Sequence, residues 1–268
     1  MSAPIKLSFP PTRGFWEIPV LYEDEHVLAL DKPPALATSP DRANPQLPAL
    51  MPLLHGGIRD GKAWATDRQL TYLANAHRLE AGVSGVILLA RSKAVLGALV
   101  DQFASEKPLK TCLVMCWGAP AGAELRLDGR LAPDPRVAGR FRVDPAHGKK
   151  AVTLVRLEEA FRECSLLRCR LLTDRPHQLR VHLQRQRLPV VGDALYRGRP
   201  LLLSELKPGY RLKPGATERP LLARMAIHLA QVRFVHPVTG VEVTVDSPTP
   251  HDFEVGLKYL RRFSARTW

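Results

Sequence analysis

Apolar residues in this chain come in short, bounded runs. The most continuous is Val86-Ile87-Leu88-Leu89-Ala90, followed by Arg91. An unbroken apolar run of that length with a β-branched start predicts a strand buried on both faces. Ser92 is placed to cap a helix, and Val95, Leu96, Leu99, Val100 and Phe103 share one helical face over Ser92–Glu106, which Pro108 closes. Leu109–Trp117 then predicts a strand ending at Gly118. Upstream, Ile18–Tyr22 and Val27–Leu30 predict two short strands joined by Glu23-Asp24-Glu25-His26. Asp31-Lys32-Pro33-Pro34 stops the second, because proline cannot donate to a ladder. Residues 1–17 carry prolines and little periodicity and are expected to form an N-terminal arm. Residues 35–66, rich in Pro, Gly and Asp, are expected to be a long irregular loop with one helical turn near Leu50–Leu54.

Beyond Gly118 the pattern predicts an inserted basic hairpin or loop over residues 119–150, then strands at Ala151–Leu157 and Ser165–Leu172. The period changes after Thr173. Leu179, Val181 and Leu183 suit a helix starting near Pro176, with proline in its first turn. A basic loop covers residues 197–220. Ala226–Phe234 and Val241–Val245 form a strand pair around His236-Pro237-Val238-Thr239-Gly240, and Phe253–Phe263 an amphipathic helix. Strands cluster and helices are interspersed without regular alternation. The fold class expected is α+β with a mixed, largely antiparallel central sheet. Residues 18–268 are read as one domain.

Composition narrows the function classes. Lys and Arg total 39 against 26 acids, a net charge of +13, which favours a polyanionic partner such as nucleic acid. No apolar run approaches the length of a membrane span, so no membrane role is expected. Cys112, Cys116, Cys164 and Cys169 match no zinc spacing, so no metal is expected and free thiols in a reducing cytoplasm are.

Two stretches carry candidate chemistry. His77-Arg78-Leu79-Glu80-Ala81-Gly82-Val83-Ser84-Gly85 feeds the buried strand, so a rigid element holds a loop that exposes a Glu and an Arg. In isolation a solvated surface turn is the plainer reading. Arg175, His177, Gln178, Arg180 and His182 crowd one helix start and can present several donors to phosphate or base edges. A solvated basic helix explains them as well.

Taken together, separated segments resemble one family, the RluA-type pseudouridine synthases. The loop at 77–85 is similar to its His-Arg-Leu-Asp-x-x-Thr-Ser-Gly signature. Leu21–Pro34 resembles its opening strand pair ending in Asp-Lys-Pro. Residues 173–196 resemble Thr-Gly-Arg-Thr-His-Gln-Ile-Arg-Val-His, continuing to Gly192, Asp193 and Tyr196. His228 and Phe234-Val235-His236-Pro237 resemble the closing strand pair. The resemblance runs from about residue 18 to the C-terminus. It implies a basic cleft for structured RNA (rRNA or tRNA) and conversion of uridine to pseudouridine without a cofactor; a monomer is expected, although the sequence does not give the oligomeric state. The resemblance leaves no room in the short arm for the extra RNA-binding domain that many relatives carry. By the same resemblance Glu80 is the catalytic carboxylate and Arg180 its ion-pair partner. Arg78 fills the gap left by the flipped nucleotide. His77, Lys110, Cys112, Arg175, His177 and Gln178 line the RNA site.

The departures raise rival readings. Glu80 stands where the family has Asp, so the carboxylate sits one methylene further out, and a misplacement of about 1 Å can cost on the order of a hundredfold in rate. Cys112 stands where a tyrosine packs on the target base, and Val83 replaces a threonine. Losing an aromatic platform removes about 1–3 kcal/mol of stacking. One rival is a catalytically impaired homologue that binds or chaperones RNA. Another is a different activity built on Glu80 with Asp174.

Overall fold

The computed structural model describes residues 2–40, 46–213 and 215–265. The chain opens with β1 (Ile5–Phe9), β2 (Gly14–Ile18), β3 (Val20–Glu23) and β4 (Val27–Lys32), then α1 (Leu50–Arg59) and α2 (Ala63–Thr66). Next come β5 (Ala74–Asn75), β6 (Ser84–Ala90), α3 (Lys93–Ala104), β7 (Leu109–Trp117), β8 (Glu124–Pro133), β9 (Phe141–Val143), β10 (Lys149–Ala160) and β11 (Cys164–Leu171). The remainder is α4 (Gln178–Arg185), α5 (Leu203–Leu206), β12 (Ile227–Val235), β13 (Glu242–Asp246) and α6 (His251–Phe263). Two compact units result: Met1–Lys110 with Leu229–Pro248, and Thr111–His228 with Thr249–Trp268.

In the first unit every residue of β6 is buried, as its unbroken apolar run requires. β4 pairs antiparallel along it, from Val27 opposite Ala90 to Lys32 opposite Gly85, and β3 pairs antiparallel with β4. β12 flanks β6 on its other side and carries β13. The strand start depends on Gly85: its φ is +118°, and an added Cβ would lie 2.1 Å from the Leu229 carbonyl oxygen. No L-residue with a side chain fits that approach. Ser92 caps α3 as expected, its hydroxyl oxygen accepting from the Val95 N–H at 3.3 Å.

Two expectations need correction here. Residues 1–17 are not a loose arm. β1 and β2 pair in register, Ile5 opposite Ile18 and Leu7 opposite Trp16, with Pro10-Pro11-Thr12 forming the turn. Ile5, Leu7 and Ile18 are buried in one core with Leu28, Leu30, Leu54 and Ile87. The stretch 35–66 is also more ordered than expected, since it holds α1 and α2; its residues 41–45 lie outside those described. Pro52 falls in the first turn, where its missing N–H costs little; Gly56 and Gly57 are poor helix formers, and burial of Leu50, Met51 and Leu54 overrides that weak propensity.

In the second unit the strand order is β7-β11-β10-β8-β9. β10 pairs antiparallel with both β11 and β8, and β8 with β9, so residues 119–150 contain the expected hairpin. One face of these strands buries Leu131 and Ala151 against Val181 of α4 and Tyr196. α6 buries Phe253, Gly256, Leu257 and Leu260. Cys112, Cys116, Cys164 and Cys169 are all buried thiols, and burial pushes the Cys164 thiol up to about 12. The fold is α+β with mostly antiparallel sheet.

If the N-terminal hairpin belongs to the core, Ile5→Ala should lower unfolding stability by about 2–5 kcal/mol in urea titration. An unpacked arm would give no change.

Candidate active site

In the first unit the loop before β6 is fastened on both sides of Glu80. The Leu79 N–H donates to Thr38 Oγ1 at 2.9 Å, and the Thr38 hydroxyl donates to the Leu79 carbonyl at 2.9 Å. The Val83 N–H closes a turn onto the Glu80 carbonyl at 3.0 Å. Asn75 Nδ2 donates to the His77 carbonyl at 3.0 Å. The His77 ring is buried: its Nε2 accepts from the Leu88 N–H at 3.2 Å, and it stacks on Phe103 at 4.8 Å. Lys110, also buried, reaches the other aromatic contact of this group, 5.5 Å from the Phe103 centroid. Arg78 is exposed and Glu80 half-buried, so the backbone is rigid where these two side chains emerge. Lys32 is fully buried and donates to the carbonyls of Pro33 (2.8 Å) and Leu36 (2.7 Å), fixing the chain after β4.

In the second unit a closed hydrogen-bond circuit positions α4. Gln178 Oε1 accepts from the Thr173 hydroxyl at 2.8 Å and from the Arg175 N–H at 3.1 Å. Gln178 Nε2 donates to the Val152 carbonyl and to Thr153 Oγ1, both at 3.0 Å. Having accepted there, the Thr153 hydroxyl turns its own hydrogen to His182 Nδ1, 3.0 Å away. The His182 ring packs over Gly129, where an added Cβ would lie 3.3 Å from Nε2. Each member fixes the next, so the helix start is tied to β10 at several points.

From that helix Arg180 forms a bidentate pair with Asp193: Nε to Oδ2 and Nη2 to Oδ1, each 2.7 Å. The two side chains are 9% and 2% exposed, so the pair is shielded from water. The guanidinium lies 4.7 Å over the Tyr196 ring. The Tyr196 hydroxyl accepts from the Phe141 N–H at 2.8 Å and stands 2.8 Å from His177 Nδ1. His177 sits in the left-handed region, φ 56°, just before α4. Its pKa is lowered to about 4 by burial and by the nearby Arg180 charge, so the ring is neutral at pH 7.

The expected site residues thus separate by environment. Glu80 and Arg78 emerge from a braced loop, and Arg180 is buried and aimed by Asp193. Gln178, 3% exposed, has its amide engaged inside the protein, where it braces the start of α4. Cys112 is buried on β7. Arg175 is half-buried, its Nε donating to the Lys150 carbonyl at 3.0 Å. Asp174 is exposed. Sequence reasoning gave Asp193 and Tyr196 no role, although the Gly192-Asp193 signal was visible; Thr153 carried no signal at all.

Burial lowers the His182 pKa from 6.5 to about 4. Between those values the unfolded chain binds a proton that the folded chain does not, so stability is lost as pH falls from 6.5 towards 4. Thermal unfolding followed from pH 7 to 4.5 should show a falling midpoint, with a shallower fall for His182→Gln. An identical slope in the variant would remove His182 as a cause.

Comparison with known proteins supplies the family. The family model described as RNA pseudouridylate synthase matches residues 26–185. The chain is 36% identical over 256 residues to ribosomal large subunit pseudouridine synthase D of Xanthomonas campestris pv. campestris, covering 92% of this chain and 70% of the relative. It is 29% identical over 248 residues to the protein of that name from Escherichia coli K12, covering 90% and 70%. Among solved structures, human RNA pseudouridylate synthase domain containing 4 superposes with a TM-score of 0.67 at 20% identity, covering 90% of this chain and 92% of that one. The chain belongs to the RNA pseudouridylate synthase family.

Proposed function

We propose that this chain converts uridine to pseudouridine in ribosomal RNA, with the Glu80 carboxylate as the reacting group. The reaction is an isomerisation: the bond from ribose C1′ to N1 breaks, a bond from C1′ to C5 forms, and the C5 proton leaves while N1 takes one up. No external oxidant or group donor enters that balance. Glu80 acts on the ribose, either by bonding to C1′ or by taking a proton from its neighbour. The observation that carries this reading is the fastening of the loop around Glu80: Thr38, the Val83 turn and the buried start of β6 hold the backbone from which the carboxylate projects. A fixed carboxylate suits catalysis, because alignment loses value when the group wanders.

Arg180 has the part of charge partner to the reacting carboxylate, and Asp193 and Tyr196 position it. With Nε and Nη2 engaged by Asp193, the direction of the remaining guanidinium donors is set. Arg78, exposed at the same loop as Glu80, takes the place of the extruded nucleotide, which costs a few kcal/mol to unstack. His77 and Lys110 support the loop from beneath. Ribosomal RNA is supported as the substrate by the name of the 36% identical relative, a ribosomal large subunit pseudouridine synthase. The four free thiols support a reducing, cytoplasmic setting.

Loss of tritium from C5-labelled uridine in rRNA, taken from a strain lacking the gene, tests the reading. Glu80→Ala should lower the single-turnover rate by at least about 10³-fold while RNA affinity stays within a few fold. Glu80→Asp, which shortens the reach by a methylene, should change the rate by on the order of a hundredfold. Wild-type release matched by Glu80→Ala would sink the assignment.

A further inference from the structure

The second unit presents a sheet face that the site does not use. Along β8 the side chains alternate strictly, with Leu127 and Leu131 buried and Arg126, Asp128 and Arg130 exposed. The inner positions pack against α4 and Tyr196, so the outer positions are held on a stiff support. On that outer face the ladder sets like charges opposite each other at two positions, while Glu124 faces Arg156 and Asp128 pairs with Arg126 at 2.8 Å. Lys150 faces Arg130, and Arg156 faces Arg168. Arg126 and Arg170 both face Leu154, one from each side, which puts them two strand spacings or about 9–10 Å apart.

Directly opposed like charges destabilise a sheet. At one of these pairs the fold supplies a remedy: Glu158 bonds both Arg156 and Arg168, at 2.8 and 3.0 Å. At the other it does not. Among the described residues, Arg130, Lys150 and Arg170 have no carboxylate partner, and all three are exposed. Lys150 is further fixed in place because Arg175 holds its carbonyl. Three exposed cations, Arg130, Lys150 and Arg170, held without a carboxylate partner on a stiff support are complementary to an external polyanion.

We propose that this outer face of β8, β10 and β11, opposite the side that packs on α4, binds the phosphodiester backbone of structured RNA. The proposal rests on the reading that the chain acts on RNA. The outward positions are charged or aliphatic, with no aromatic ring to stack on a base. The contact is therefore with phosphates, adding hold without choosing sequence. It should raise affinity and leave the chemical step alone.

The test is filter binding of a large-subunit rRNA transcript from 50 to 200 mM salt, with single-turnover pseudouridine formation at saturating RNA. Arg130→Gln/Lys150→Gln/Arg170→Gln is compared with Lys62→Gln/Lys93→Gln/Lys258→Gln, which removes as many exposed charges elsewhere. The face variant should bind about tenfold more weakly near 100 mM and lose about 2 from the salt slope, as expected for two to three phosphate contacts. Its saturated rate should equal that of wild type. Arg130→Lys/Arg170→Lys should restore affinity, which separates lost charge from damaged folding. Equal affinity and slope in the face and control variants would overturn the proposal. So would loss of binding to phosphatidylglycerol vesicles without loss of binding to RNA. If wild type forms no pseudouridine yet the face variant still loses affinity and slope, the surface stands and the catalytic reading falls.

Discussion

The buried Arg180–Asp193 pair is the interaction on which the second unit's chemistry depends. Two charge-assisted bonds of 2.7 Å hold the guanidinium in one plane, and Tyr196 lies beneath it. Such a pair is costly to desolvate and adds little net stability, but losing one member typically costs about 3–5 kcal/mol. Its worth is therefore directional. It fixes where a cation points in a place where water cannot compete. Tyr196 passes that constraint on through its hydroxyl to Phe141 of β9 and to His177 at the start of α4. The helix, the inserted hairpin and the arginine are set by one cluster.

The first unit solves the same problem for a carboxylate by different means. Here the constraint is backbone: a loop pinned to Thr38 and Asn75 runs into a strand with no exposed residue. Gly85 lets that strand begin in close approach to Leu229. Any residue with a Cβ would push the two backbones apart and shift the loop with them. A family motif that looks chemical is thus partly architectural. His77 and Gly85 hold, while Arg78 and Glu80 project.

The elements read correctly from sequence are those whose pattern needs no partner to interpret. Val86–Ala90 is apolar throughout and can only be a buried segment; Leu109–Trp117 is bounded by Pro108 and Gly118 and appears with those limits as β7. α3 has both its apolar face and its serine cap. The elements missed differ in cause: Ile5-Lys6-Leu7-Ser8-Phe9 alternates apolar and polar as a strand does, between prolines, whereas α1 carries Gly56 and Gly57 inside its own span. Proline and glycine mask the β1–β2 hairpin and α1, yet Ile5, Leu7, Leu50 and Leu54 find one shared core. In α1 that burial outweighs local propensity, and the shared core itself is not displayed by either local window.

Sequence alone determined the α+β class, the excess of cations, and the identity of the acid and the arginines that carry the family's signature. Those follow from residue types and their order, which the chain carries openly. Tertiary structure decided which signature residues face outward and which are struts. Gln178 looks like an RNA contact in the motif and becomes an internal brace because Thr173, Val152 and Thr153 converge on its amide. Asp193 becomes the aiming device for Arg180, and Lys150 and Arg130 become neighbours through the β8–β10 register. Hydrogen bonds and strand pairings between distant residues are made by the fold, so their consequences exist only once it has formed.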